Sequence, residues 1–347
     1  MTKPKVTETD SEANLREMML STARVLDEAP SWIIFSHRNL DGDAVGSATA
    51  LFEAGLTRGK HVRWLGVDPV PPNYLFLLHA DEYVTQKKYK FNGEDDLYIF
   101  LDSANEARAI EGLKERSPKA VVLNIDHHED NTEFGTFNCV DGAASSTSEI
   151  LWRIMTAANW LITQAIAESL YTGLVTDTGW FSFSNTTSAT HLMASDLLSR
   201  GVIPSKIDSC VRHNRSMEGM HLWGRGLSRV LRWGEPPRFA MTWLTKKDFA
   251  DTNAIPSDTE MLPNHILLMQ DVRFAVLLTE DEDTGQVKAS FRSKEGTVSA
   301  ASVARRLGGG GHPKAAGAQL APPMADAVLV VKETVEKIYA EWATADR

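Results

Sequence analysis

The stretch Phe35–Leu51, "FSHRNLDGDAVGSATAL", sets His37, Asp41 and Asp43 within seven residues. These three lie between an apolar run that reads as a buried strand, Ser31–Ser36, and a helix pattern over Ala44–Ala54. Three readings compete: a loop with a helix cap, a calcium loop, or one part of a metal site whose other ligands lie further along the chain. Asp43 alone could cap the helix that follows it. An EF-hand loop opening at Asp41 needs an oxygen ligand at its fifth position and a glutamate at its twelfth, and these are Val45 and Phe52, so that form of calcium site is rejected.

Working outward, further β-like runs fall at His61–Val67, Leu97–Leu101 and Ala120–Ile125, separated by helical stretches such as Ile110–Arg116 and Ser148–Ala158. Strands alternating with helices predict an α/β fold: a parallel sheet with helices on both faces, and ligands beyond the carboxyl ends of its strands. Asp102 directly follows the second of these runs and Asp126, His127 and His128 follow the third, while Asp177 ends another apolar stretch in "VTDTG". Each cluster alone passes as ordinary turn chemistry. Four in register with strand ends are expected to converge on one edge of the sheet.

The chain has 347 residues, enough for two domains, and only two cysteines, Cys139 and Cys210. That excludes a disulfide framework and a thiolate cluster, leaving nitrogen and oxygen donors suited to manganese, magnesium or iron. Two such ions about 3.5–4 Å apart can clamp a phosphoryl group and lower the pKa of a bound water. Hydrolysis of a phosphoester or phosphoanhydride is the chemistry expected. A net charge of −10 argues against long duplex nucleic acid but leaves room for a small anionic ligand. No apolar stretch reaches the roughly 20 residues of a membrane span, and the start is too charged for a secretory signal, so the cytoplasm is expected.

The catalytic domain is expected over residues 1–201 and a polar, helix-prone connector over 202–227. A smaller α+β domain should cover 228–347, with strands at Arg238–Leu244, Val272–Leu278 and Gln286–Phe291. A helix at Val298–Leu307, a glycine run at Gly308–Gly311 and a terminal helix at Met324–Ala343 complete it.

These motifs, "HRNLDGD", "LDSAN", "NIDHH" and "VTDTG", followed by "SFRS" and "GGGGHPKAAG", resemble the DHH phosphoesterase superfamily with its associated C-terminal domain. The resemblance implies two divalent ions, manganese first, one held by His37, Asp41 and Asp102. The other would be held by Asp43, Asp102, His127 and Asp177, with Asp102 as bridge. His128 is expected beside the scissile phosphate, and the active site in the cleft between the domains. Short single-stranded oligoribonucleotides are the implied substrates, followed by 3′-phosphoadenosine 5′-phosphate, cleaved by a metal-activated water. Cyclic or linear dinucleotides, polyphosphate, and a nucleotide sensor without turnover are the alternatives, and homodimer formation stays among the expectations.

Four glycines before His312 are more than a helix C-cap needs, and glycine lets backbone N–H groups approach an anion closely. With the resemblance, Gly309, Gly310, Gly311, Arg292, His312 and Arg108 are the expected substrate contacts. Ser145–Ser148 read as helix-capping residues. Trp180, Phe181 and Phe183 read as a half-buried strand or, less simply, as a stacking platform.

Overall fold

The computed structural model describes residues 8–91, 96–108, 110–213, 215–281 and 284–345. The chain divides into two compact units, Met1–Asn214 and Arg215–Arg347.

In the first unit the order is α1 (Glu8–Glu28), β1 (Ser31–Ser36), α2 (Gly42–Thr57), β2 (His61–Gly66), β3 (Val84–Thr85), β4 (Asp96–Leu101), β5 (Val121–Asp126) and β6 (Phe137–Val140). Four helices follow: α3 (Thr147–Ala157), α4 (Gln164–Asp177), α5 (Ser188–Ser199) and α6 (Pro204–Arg212). The six strands form one parallel sheet in the order β3-β2-β1-β4-β5-β6. Strand order reverses between the adjacent β1 and β4, the place where open α/β sheets bind ligands.

Strand periodicity divides the core. Trp32, Ile34, Leu97, Ile99, Leu101, Leu123 and Ile125 point to the side covered by the helices. Ile33, Phe35, Tyr98, Phe100 and Val122 point to the other, where Phe91, Ile110 and Leu113 cover them. The parallel sheet is as expected, but the α-helices crowd one face. The opposite face is closed by irregular chain and by aromatic rings, Phe91 tilted against Phe35 and edge-on to Tyr98. The helical stretch expected at Ile110–Arg116 is a single 3₁₀ turn, Leu113–Glu115. Gly112 and Pro118 bracket a span too short to nucleate an α-helix.

Helices α2 and α4 touch backbone to backbone: a Cβ at Gly46 would lie 2.5 Å from Ser169 O. Thr49 Oγ1 donates to Ser169 Oγ at 3.0 Å across the same contact.

The second unit contains α7 (Met217–Ser228), β7 (Leu231–Trp233), β8 (Phe239–Leu244), α8 (Lys246–Thr252), α9 (Leu262–Leu267), β9 (Phe274–Glu280) and β10 (Val287–Ser293). It ends with α10 (Ala300–Arg306), β11 (Gly310–Gly311), β12 (Ala315–Leu320) and α11 (Met324–Ala345). Its mixed sheet runs β11-β12-β10-β9-β8-β7, with only β8 and β9 parallel. One face packs on α10 and α11 and the other on α7, α8 and α9. Within the polar passage expected as a connector, α6 belongs to the first unit and α7 to the second. No helix among the described residues is long and apolar enough to cross a membrane.

Candidate metal centre

β1 ends at Ser36, and His37 follows it into a buried position. Its Nδ1 faces Arg38 O at 2.6 Å, which makes that nitrogen an N–H donor and turns Nε2 toward the site, where a metal ion would take the place of its proton. Nε2 lies 3.2 Å from Asp102 Oδ2 and 3.7 Å from Asp41 Oδ2. Asp41 is also the N-cap of α2: its Oδ1 accepts from Asp43 N at 3.1 Å and Ala44 N at 3.0 Å, so one oxygen starts the helix while the other faces the site.

Asp102 comes one residue after β4 and turns the chain with φ 54, a left-handed backbone uncommon for a residue with a side chain. That turn leaves its two oxygens facing different imidazoles: Oδ2 the ring of His37, and Oδ1 His127 Nε2 at 3.5 Å. Asp177 Oδ2 lies 3.5 Å from the same His127 nitrogen.

Asp177 is the last residue of helix α4, not the end of a strand. The apolar run before it is a buried helix, indistinguishable from a buried strand by composition alone. The helix C-terminus carries partial negative charge, so both the backbone and the carboxylate favour a cation there.

Donor atoms of His37, Asp41 and Asp102 lie within 4.8 Å of one another, as do those of Asp43, His127 and Asp177. Asp102, His127 and His128 form a third such trio. The His128 nitrogen facing Asp102 is Nδ1, and it is hydrogen-bonded to Asp126 Oδ1 at 2.7 Å, which sets His128 apart from the other donors. Asp126 is fixed in turn by Asn131 Nδ2 at 2.5 Å, and Asn131 also donates to Asn124 Oδ1 at 2.9 Å. Arg108 Nη1 sits 3.4 Å from His128 Nε2, putting a guanidinium beside the imidazole face left open.

The charge balance calls for cations. Among the described residues no lysine or arginine pairs with Asp41, Asp43, Asp102 or Asp177. Burial, together with the charge of Asp102, pushes the Asp43 carboxyl up to about 7. Burial also holds Asp177 well above the carboxylate range. For His37 and His127, burial acts downward, but the hydrogen bond to Asp102 and the surrounding carboxylates together outweigh it, raising both well above an ordinary imidazole. Protons therefore gather where metal ions would otherwise balance the carboxylates. A donor set of imidazoles and carboxylates around a shared, two-sided aspartate fits divalent ions of the manganese or magnesium type.

The serine run does more than cap. Ser146 caps α3 through Glu149 N at 3.1 Å, as expected. In addition Thr147 N donates to Asp43 Oδ2 at 2.6 Å, Ser148 N and Oγ donate to Asp43 Oδ1, and Thr147 Oγ1 reaches Asp102 Oδ1 at 3.3 Å. The N-terminus of α3 thus clamps a carboxylate that lies about one hundred residues away in sequence, a role that spacing alone does not reveal.

Trp180, Phe181 and Phe183 form no strand. They lie in turns after α4, with Trp180 and Phe181 left-handed at φ 58 and 62. Trp180 packs under the Arg212 guanidinium at 4.1 Å and Phe181 stacks on His191 at 5.0 Å, which leaves Phe183 the exposed ring of the three.

In the second unit Arg292 pairs across β10 and β12 with Ala315, three residues past His312 in the exposed β11–β12 turn. Arg292 Nε donates to Asn264 Oδ1 at 3.1 Å and Nη1 to Phe291 O at 2.9 Å. It has no carboxylate partner among the described residues, and burial draws the guanidinium below its ordinary pKa. The glycines separate by cause. A Cβ at Gly309 would meet Gly317 O at 2.1 Å, and one at Gly311, whose φ is 134, would meet Ala316 Cα at 2.7 Å. Both are required by the β11–β12 pairing, whereas a Cβ at Gly310 would enter open space.

A parallel α/β unit with a His/Asp cluster at its strand-order switch, followed by a mixed-sheet unit, is the architecture of a recognisable class. Residues 31–174 match the DHH family, N-terminal domain, and residues 241–340 match the DHHA1 domain; the chain belongs to the DHH family. It is 33% identical over 306 residues to the bifunctional oligoribonuclease and PAP phosphatase NrnA of Thermus thermophilus, covering 88% of this chain and 89% of that one. The protein of the same name from Bacillus subtilis is 29% identical over 315 residues, covering 88% and 94%. Among solved structures, an exopolyphosphatase-related protein from Bacteroides fragilis superposes with a TM-score of 0.85 at 26% identity, covering 96% and 98%.

Proposed function

We propose that this chain is a metal-dependent phosphoester hydrolase acting on short single-stranded oligoribonucleotides, and on 3′-phosphoadenosine 5′-phosphate. The observation that carries the reading is the division of Asp102 between His37 and His127, which suits one carboxylate shared by two ions. In this reading His37, Asp41 and Asp102 hold one ion, and Asp43, Asp102, His127 and Asp177 the other, with manganese the first choice. When bound, such ions supply positive charge for the phosphoryl oxygens and an acidified water.

The chain's own residues do the rest. Asp126 orients His128 and, with the charge of Asp102, offsets burial and raises its pKa. The imidazole is thereby kept ready to give a proton toward the phosphate or its leaving oxygen. Arg108, adjacent to it, is suited to a non-bridging phosphate oxygen. Arg292, His312 and the backbone at Gly309–Gly311 take the substrate's other phosphate or terminal nucleotide, supported by the lack of a carboxylate partner for Arg292. The net charge of −10 keeps long duplexes from the preferred substrates. The relatives' names support the substrate choice, and the likeness to an exopolyphosphatase-related protein makes polyphosphate the second reading.

The test is hydrolysis of a 5′-labelled RNA trinucleotide with manganese, run beside phosphoadenosine phosphate, a cyclic dinucleotide and polyphosphate. Mononucleotide release, lost by at least about 10²-fold in Asp102→Ala, is expected. Turnover of polyphosphate alone would overturn the substrate assignment, and turnover of none would overturn the enzyme reading.

A further inference from the structure

The second unit carries a basic groove that the function above does not use. Phe239 of β8 lies opposite Phe274 of β9, and one step earlier Arg273 N donates to Arg238 O at 2.7 Å. On the other side Ser293 of β10 pairs with Phe274, and Lys294 N donates to Arg273 O at 2.9 Å. Three neighbouring strand ends therefore bring Arg238, Arg273 and Lys294 side by side. A cavity of about 480 Å3 opens there, lined by Arg232, Arg238 and Arg273 with Pro236, Pro237 and Asp271.

The cations here are poorly balanced. Arg232 donates to Pro237 O at 2.8 Å and Arg238 Nη1 to the Tyr339 hydroxyl, both neutral acceptors. Arg238 Nε is buried with no hydrogen-bond partner among the described residues. Burial lowers the Lys294 pKa, the charge of Arg273 lowers it further, and Asp271 opposes them. Among the described residues Asp271 is the carboxylate lining this groove beside three guanidinium groups, while Glu235 and Glu336 line the adjoining cavity that shares Arg238. On a chain of net charge −10, such a local excess marks a place for an anion.

Strand register relates Arg292 to the same end of the sheet. Arg292 lies opposite Ala275, and Lys294 and Arg273 each stand two residues away along their own chains. A period of two puts Arg292, Lys294 and Arg273 on one face of the sheet. We propose that this row and groove take backbone phosphates of a single-stranded oligonucleotide whose terminal nucleotide is held at Arg292, so that the second unit grips chains longer than two or three residues. Guanidinium forks suit phosphate oxygens and read no sequence. The proposal rests on the oligonucleotide reading above and adds a length preference to it.

The test compares wild type with Arg232→Ala/Arg273→Ala, using fluorescently labelled RNA of two and of eight nucleotides. Binding is read by anisotropy and turnover by product release, each across a salt series. The variant is expected to bind the octamer about ten-fold more weakly, with a salt slope flatter by about 1.4 for two lost phosphate contacts, and to leave the dinucleotide within about two-fold. Equal effects at both lengths, or none, would overturn the groove. So would a loss confined to competing polyphosphate with octamer binding intact. If wild type hydrolyses neither RNA, the function above fails, while anisotropy still decides the groove. Among the described residues neither arginine hydrogen-bonds a side chain, and Arg232→Lys/Arg273→Lys, which keeps the charge, should restore most of the salt slope.

Discussion

Ser148 binds Asp43 twice, through its backbone N–H at 3.0 Å and its hydroxyl at 2.6 Å, both to Oδ1. One carboxylate is thereby held in a single orientation by the first turn of α3. Ser148→Ala removes a charge-assisted hydrogen bond of about 1.5–3 kcal/mol. Manganese affinity is expected to fall roughly 10- to 100-fold, as for other groups that orient metal ligands. Isothermal titration with manganese checks this; an unchanged dissociation constant would show that the backbone donors alone hold Asp43.

Gly173 gives that clamp its room. A Cβ there would lie 2.0 Å from Ser148 Oγ and 2.6 Å from Asp43 Oδ1. Gly173→Ala is therefore expected to cost about 1–3 kcal/mol of stability through overcrowding. Turnover should fall by more than the melting shift explains, because the displaced groups are Asp43 and its anchor. A thermal melt and a rate on the same sample test it, and full activity at a lowered Tm would contradict the idea.

Asn131 and Asp126 address a different residue, His128. Asn131→Ala leaves one oxygen of a buried carboxylate without its side-chain donor and frees the imidazole to turn. The expected result is a kcat lower by about ten-fold, inside the 10²- to 10⁴-fold that positioned acid–base groups contribute, with manganese affinity unaltered. If metal affinity falls in proportion, the network supports the ions instead of His128.

Metal dependence and pH are linked with a definite sign. Asp43 at about 7, Asp177 raised, and His37 and His127 raised all mean that the folded, metal-free protein binds protons that the unfolded chain gives up earlier. Their contribution to metal-free stability is therefore present at low pH and lost as pH rises through the folded values. Asp102, held well below the usual range, acts oppositely but only in more acid solution. Ions compete with those same protons. The gap in Tm between manganese-loaded and chelator-treated protein should widen from pH 5 to pH 8; a constant gap would mean that these groups do not titrate with metal release.

Much of the site was legible because each ligand-type residue sits beside a recognisable apolar run. His37, Asp102 and His127 follow strands whose hydrophobicity is unmistakable, so the parallel sheet and the edge on which they gather could be inferred together. The helix carrying Asp177 could not be told from a strand, since a fully buried segment has no polar face to reveal its period. Nor could the one-sided placement of the helices be read, because aromatic packing from irregular chain closes the other face. Phe181 and Phe183 alternate with Ser182 and Ser184 as in a strand, yet Trp180 and Phe181 take left-handed backbone that residue type does not announce.

The sequence by itself determined which atoms are available: four aspartates and two histidines without thiolates, a further histidine beside them, and a glycine run with an arginine strand in the second half. Only the tertiary structure decided how they are shared. It turned Asp102 between two imidazoles, gave Asp43 to the N-terminus of α3, and tied His128 to Asp126 and Asn131. It also split Gly309–Gly311 into two that strand pairing requires and one that it does not. Local sequence sets chemistry and periodicity, but hydrogen-bond partners 105 or 120 residues apart meet only when helices pack and strands pair.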